Sequence, residues 1–222
     1  MKKITIITGH YGSGKTNVSA NLASELAARG EKVTVVDLDI VNPYFRTADF
    51  EEIFKEKNIE TVVPMYANTN LDIPAISFDL ERIASDEGYL IIDVGGDDAG
   101  AIALGRYATA FERFMDDIDM LYVINHYRYM TRFPEEALEL LYEIEAAAKF
   151  KATGIINNSN LGVETTAQTV IDSLEFARAV SEKSGLPIVF TTAPKTCEDE
   201  LLKSIDTPVK LVDIYVKPIW DM

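Results

Sequence analysis

Cysteine is almost missing from this chain of 222 residues: Cys197 is the only one. A single thiol excludes an intrachain disulfide and a cysteine-only metal cage. It also argues against a scaffold in which paired cysteines bridge an iron–sulfur cluster, and it fits a reducing cytoplasm. Long apolar runs are missing too. No stretch reaches the 18 apolar residues that a membrane-spanning helix needs. Met1-Lys2-Lys3-Ile4 resembles a signal peptide only in its lysines, because the apolar segment stops at Gly9. Basic residues are scarce: 21 Lys and Arg face 36 Asp and Glu, a formal net charge of −15. Nucleic acid is bound by neutralising phosphates with Lys and Arg, and anionic membranes attract basic segments, so neither is expected as a partner. The C-terminal "VDIYVKPIWDM" does not reverse this, since Pro218 breaks any amphipathic helix there. The two histidines, His10 and His126, do not make a metal site by spacing.

What is present is an ordinary globular composition, 47% hydrophobic and 26% charged. Strand-like apolar runs alternate with helical patterns from end to end. The runs at 4–8, 32–37, 89–94, 119–125, 152–158 and 186–192 read as strands, and the tail from Pro208 as a last edge strand or hairpin. Val18, Leu22 and Leu26 mark one helix face closed by Gly30; Pro134 with Glu135 and Glu136 opens another helix. "TADFEEIFKEKN" and "LERIASDEG" also read as helices, residues 99–114 as a mixed helical stretch, and 165–185 as one helix closed by Gly185. Residues 59–78 are interrupted by Pro64 and Pro74. Alternation of this kind predicts an α/β fold of three layers, a mainly parallel sheet with helices on both faces. With no internal repeat, linker or composition break, residues 1–222 are expected to form a single domain.

The nucleotide enters through "GHYGSGKT", Gly9 to Thr16, which fits Gly-x4-Gly-Lys-Thr between a strand and an amphipathic helix. Glycines let the backbone curl so that several N–H groups face one anion, and the helix adds its positive end. Gly9, His10, Tyr11, Gly12, Ser13, Gly14, Lys15, Thr16 and Asn17 are therefore candidate phosphate-binding residues, with Lys15 on the outer phosphates and the Thr16 hydroxyl on Mg²⁺. In a parallel sheet, ligands lie beyond the carboxyl ends of the strands. "VVDLDIVNP" places Asp37 and Asp39 there: Asp39 to orient an attacking water or hold a metal-bound one, Asp37 to brace Lys15 or the loop. "YLIIDVGGDDAG" places Asp93 there, a carboxylate suited to Mg²⁺, with Gly96 three residues on to contact the γ-phosphate through its N–H. Asp97 and Asp98 fit a helix cap as well as a metal or substrate role.

These motifs, together with "GIINNSN", resemble the MinD/ParA-type, CobQ/CobB-like branch of P-loop NTPases over most of the chain. The resemblance implies Asn157, with Asn158 beside it, as the adenine reader, and Pro194 as a border of the base. It implies an ATP-sandwich homodimer and a switch that docks on or activates a protein partner. The chain departs from that pattern at the loop: His10 stands where relatives carry a lysine that reaches the partner's phosphates, and Tyr11 where they carry a glycine. His10 is shorter and mostly neutral near pH 7. Arg46, Arg128 and Arg132 are candidate replacement cations on the same sheet edge, although each taken singly is more simply read as pairing with surface acids. His126, Tyr127 and Tyr129 suit either a protein interface or a turn that fills a local gap.

The expected activity is an ATPase with ATP and Mg²⁺ as ligands and Lys15, Asp39 and Asp93 as its catalytic groups. A small-molecule ligase or kinase of the dethiobiotin-synthetase or cobyric-acid type is the alternative, its carboxylate substrate held by the Tyr/Arg loop at 126–132. A binding module without turnover is the third reading. A GTPase would show Asn-Lys-x-Asp after a late strand, and "NNSN" lacks the Lys and the Asp.

Overall fold

The computed structural model describes residues 1–39, 51–62, 87–201, 205 and 207–215. The expectations for residues 42–50, which include Arg46 and the start of "TADFEEIFKEKN", for Pro64 and Pro74, for residues 80–86 of "LERIASDEG" and for Pro218 fall outside those residues.

Among the described residues eight strands form one sheet: β1 (Ile4–Thr8), β2 (Val33–Leu38), β3 (Ile59–Val62), β4 (Tyr89–Val94), β5 (Ile118–Ile124), β6 (Gly154–Asn157), β7 (Ile188–Pro194) and β8 (Val209–Val212). Their order is β3-β2-β4-β1-β5-β6-β7-β8. Every neighbouring pair is parallel. The sheet is therefore more uniform than expected, and Val209–Val212 of the C-terminal run form the edge strand, one of the two forms expected, paired in parallel with β7 among the described residues. A parallel sheet covered on both faces needs strands that are apolar on both sides, which is why β1, β2 and β4 read as continuous hydrophobic runs.

The pleat sends alternate residues to opposite layers. Ile4, Ile6, Val36, Leu38, Ile92 and Val94 pack with Ala101, Leu104 and Ala148 on one side. Ile7, Val33, Val35 and Ile91 pack with Val18, Leu22, Leu26 and Phe54 on the other. The helices that supply these faces are α1 (Lys15–Ala28) and α2 (Glu51–Glu56) on the second side, with α3 (Asp98–Gly105) and α4 (Pro134–Ala148) on the first. Farther along, Tyr122, Ile124 and Ile155 pack under Leu138, Leu141, Phe176 and Val180. The fold is thus a three-layer α/β/α sandwich.

The helix expected over 165–185 is two, α5 (Ala167–Asp172) and α6 (Leu174–Ser184). Ser173 divides them. Its hydroxyl donates to the Val170 carbonyl at 2.7 Å and accepts from the Asn157 amide at 3.0 Å. A buried serine that bonds back to its own helix bends it, and periodicity alone does not report that.

Topology sets the position of a ligand. From β1 the chain crosses to β2 on one side of the sheet; from β4 it returns across β1 to β5. The crevice at the carboxyl end of β1, flanked by β4 and β5, is the switch point where open α/β sheets bind ligands.

Candidate nucleotide site

The loop after β1 starts α1 with Gly14 as its N-cap, in the left-handed region at φ 88°. A side chain there would be strained by the backbone, and its Cβ would lie 2.3 Å from the Asn158 amide nitrogen. The loop is bound on three sides by neighbouring strand tips. From β4, the Gly96 carbonyl accepts the Tyr11 N–H at 3.0 Å. From β6, the Asn158 amide donates to the Ser13 carbonyl at 2.7 Å. From the β5 side, Arg128 Nε donates to the Gly12 carbonyl at 2.7 Å.

Lys15, the first residue of α1, is buried, and its ammonium donates to the His10 carbonyl at 3.3 Å. Burial lowers its pKa, opposed by the charges of Asp93, Asp39 and Asp97. Burial, then the Lys15 charge, also lowers the pKa of His10, so His10 is neutral near pH 7 and supplies no fixed cation. Asp93, the last but one residue of β4, is in register with Asp37 on β2, and both are buried. The Asp93 carboxylate accepts hydrogen bonds from Thr16 and, at 3.1 Å, from Ser19. Burial raises its pKa to about 6, with Lys15 and the two hydroxyls pulling the other way. Asp37 accepts the Asp39 N–H at 2.8 Å, which fixes the turn that presents Asp39. Asp37 thus braces Asp39.

These groups open onto a cleft of about 310 Å³. Of the sequence-predicted residues, Tyr11, Gly12, Gly14, Lys15, Thr16, Asn17, Asp39, Arg128, Asn158 and Pro194 line it. Gly9 lies at the root of the loop, where a Cβ would be 2.4 Å from the Val123 carbonyl oxygen. Ser13 is buried behind the loop and His10 is half-buried beside Lys15. Gly96 lies against Lys15, where a Cβ would be 2.7 Å from the ammonium nitrogen.

Asn157 is placed differently from the expectation. It is fully buried; its amide donates to Ser173 at 3.0 Å and its carbonyl oxygen accepts the Ser159 hydroxyl at 2.7 Å. As the last residue of β6 it alternates away from the cleft, and Asn158 takes the cleft side. Asn158 in turn is engaged at both ends, by Ser13 and by the Thr192 hydroxyl. A third asparagine, Asn160, also lines the cleft with Gly162, Thr165, Val212 and Ile214, its amide nitrogen 3.9 Å from where a Cβ on Gly14 would lie. None of these was singled out in the sequence, although Asn160 closes the "NNSN" run.

Other candidates divide. Asp97 caps α3, accepting the Gly100 N–H at 3.0 Å. His126 packs on Phe176 at 4.8 Å between ring centroids, and the Tyr127 hydroxyl donates to the Thr169 carbonyl at 2.7 Å, so these two fill a local gap. Tyr129 is 85% exposed and fits an interface. Cys197 is buried just before a short helical turn. Among the described residues no cluster of His, Cys, Asp or Glu forms a metal centre by itself, and no helix is long and apolar enough to cross a membrane.

A glycine-rich loop at the switch point of a parallel sheet, closed by Lys15-Thr16 against a β-strand carboxylate, defines a P-loop nucleotide-binding fold. The chain belongs to the CobQ/CobB/MinD/ParA nucleotide-binding domain family, whose model matches residues 4–184. It is 32% identical over 81 residues to the tyrosine-protein kinase YwqD of Bacillus subtilis, covering 33% of this chain and 34% of that one. It is 32% identical over 117 residues to an iron-sulfur cluster carrier protein of Methanocaldococcus jannaschii, covering 52% and 36%. The matches thus span about a third of either relative. Among solved structures, FtsY of Mycoplasma mycoides shares the fold at a TM-score of 0.59 and 22% identity, over 84% of this chain and 58% of that one. A nucleotide-binding protein of Archaeoglobus fulgidus in complex with ADP shares it at 0.51 and 16%, over 91% and 84%.

Proposed function

We propose that this chain is a magnesium-dependent ATPase that works as a switch, its nucleotide state read by a protein partner. The observation that carries the proposal is the contact between the Thr16 hydroxyl and the buried Asp93 carboxylate, one helical step from Lys15. A hydroxyl and a carboxylate are hard oxygen donors, the set that Mg²⁺ prefers. Bound there, Mg²⁺ would neutralise phosphate charge, held by Thr16 and Asp93 and by Asp39 through water. Lys15 would hold the outer phosphates, with the backbone of Gly12 to Thr16 around them.

Asp39, presented by the turn that Asp37 fixes, would orient the attacking water. Catalysis of this type is positioning plus charge stabilisation. The Tyr11–Gly96 backbone bond joins the phosphate loop to the segment after β4. A change at the phosphates would therefore be felt at 95–100, as a switch requires. Residues 1–222 would act as one nucleotide-binding domain. Homodimerisation, which the family resemblance implies, belongs to this reading as the arrangement in which a partner docks. ATP is favoured over GTP because "NNSN" lacks the Lys and the Asp of the Asn-Lys-x-Asp guanine reader.

The test is phosphate release from ATP with and without Mg²⁺, in the wild type and in Asp39→Asn. The proposal expects magnesium-dependent release that falls by about 10²-fold or more in the variant with ATP affinity retained. Equal turnover in the two proteins would reject it, as would preferential hydrolysis of GTP.

A further inference from the structure

The cleft needs more positive charge than Lys15 provides. A magnesium-bound triphosphate keeps roughly two negative charges near pH 7, and Asp39 adds another beside it. His10 is neutral. Among the described residues, the cations that line the cleft are Lys15 and Arg128.

Arg128 is built into this position. It follows β5, the strand next to β1. Its loop is organised by Asn125, which is fully buried. The Asn125 side-chain oxygen accepts the N–H groups of Tyr127 at 3.0 Å and Asn160 at 3.3 Å. The Asn125 main-chain carbonyl accepts the Arg128 N–H at 3.2 Å and the Thr131 hydroxyl at 2.6 Å. The Ser159 hydroxyl takes the His126 N–H at 2.9 Å. So the turn that carries Arg128 is locked to the tips of β5 and β6 before any ligand arrives, which keeps the ordering cost low.

The side chain then lies along the phosphate loop. A Cβ on Gly12 would be 3.2 Å from Arg128 Nε and 3.4 Å from the guanidinium carbon, so the loop has a glycine where the arginine crosses it. The bond the structure gives Arg128 is to a loop carbonyl, through Nε. A guanidinium has five N–H donors in a planar fork and stays charged at any working pH, so the terminal amino groups keep their capacity for phosphate oxygens.

We propose that Arg128 supplies, from within the same chain, the permanent cation that His10 does not, and that nucleotide hydrolysis here is completed by a single copy of the chain. This rests on the ATPase reading. It goes beyond it by removing the need for a second copy at the reacting phosphate; a dimer would then serve docking rather than chemistry.

The experiment measures single-turnover hydrolysis of Mg·ATP over a wide range of protein concentration, with sedimentation velocity on the same samples. Arg128→Ala, Arg128→Lys, and an equimolar mixture of Arg128→Ala with Lys15→Ala are run alongside. The expected rate constant per chain is independent of concentration and of oligomeric state. Arg128→Ala should lose about 10³-fold in rate, as removal of a charge donor of this kind does. It should bind Mg·ADP within about threefold of wild type, a split that a merely structural role would not produce. Arg128→Lys should recover part of the rate. The mixture should stay inactive, because each chain lacks one group of its own site.

Recovery of activity in the mixture would show that the arginine acts across a subunit boundary and would overturn the proposal. A rate per chain that climbs with dimer formation, or wild-type turnover in Arg128→Ala, would overturn it too while leaving the ATPase reading intact. If the wild type binds nucleotide without turnover, the ATPase reading fails. The arginine is then judged by affinity: Arg128→Ala must weaken a non-hydrolysable Mg·ATP analogue more than Mg·ADP, and equal weakening rejects it. No nucleotide affinity in the wild type rejects both.

Discussion

Replacing Asn158 by alanine would remove the strut between the phosphate loop and β7. The side chain is 4% exposed and is used at both ends: its amide donates to the Ser13 carbonyl at 2.7 Å and its oxygen accepts the Thr192 hydroxyl. Truncation leaves two buried polar groups short of a partner, each worth about 1–3 kcal/mol. The Thr192 hydroxyl has a second acceptor, the Asn157 carbonyl at 3.4 Å, which limits its share. A loss of about 2–4 kcal/mol follows, or roughly 5–15 °C in Tm for a chain of this size. The Ser13 carbonyl belongs to the loop that curls around phosphate, so Mg·ATP affinity should fall with stability, by about tenfold or more. Asn157→Ala is the matched control. It breaks bonds to Ser173 and Ser159 that face away from the cleft. It should therefore lower Tm by a similar amount and change Mg·ATP affinity by less than about threefold, since the affinity term is missing. Differential scanning calorimetry and titration calorimetry on both variants separate the two quantities. Loss of nucleotide affinity in Asn157→Ala with little change in Asn158→Ala would refute the assignment and restore Asn157 as the base reader.

Two further outcomes follow from the same geometry. Asp93 has its pKa raised to about 6 by burial, so the folded state holds a proton that the unfolded chain releases near 3.8. Its contribution is favourable below the unfolded value and is lost as pH rises through about 6, on the order of 3 kcal/mol. Without nucleotide or magnesium, Asp93→Asn should flatten that decline in a Tm-against-pH series while abolishing magnesium-dependent nucleotide binding; a parallel decline in both proteins would contradict the cause given. Gly96→Ala would drive a Cβ to 2.7 Å from the Tyr11 backbone as well as from the Lys15 ammonium. Backbone cannot yield as a flexible side-chain end does. ATP hydrolysis should therefore fall by about 10²-fold, the penalty of an ångström-scale misplacement, and an unchanged rate would show that the two segments are not coupled.

The fold was legible because a sheet buried on both faces writes itself as apolar runs, and "TIITGHYGSGKT" joins such a run to a loop whose chemistry needs those glycines. Asp93 was legible for the same reason: an isolated carboxylate ending a buried strand is expensive without a purpose. The register of "NNSN" was not. Which asparagine faces the cleft depends on where β6 ends, and a shift of one residue exchanges Asn157 for Asn158. Asn125 and Ser19 were missed because each acts through a hydrogen bond to a residue distant in sequence, to Asn160 and Asp93. The break at Ser173 was hidden by a helical pattern that continues across it. Arg128 was one of three basic residues that the motif could not rank; a 2.7 Å bond to Gly12 ranks it.

In the proposed function the loop from Gly9 to Thr16 grips a nucleoside triphosphate, with magnesium held by Thr16 and Asp93. Titration calorimetry of a non-hydrolysable ATP analogue into the full chain, with magnesium and then with chelator, tests it most directly. Saturable binding is expected that weakens by about tenfold or more on chelation and is lost in Lys15→Ala. Binding that is indifferent to magnesium and to Lys15 would contradict it.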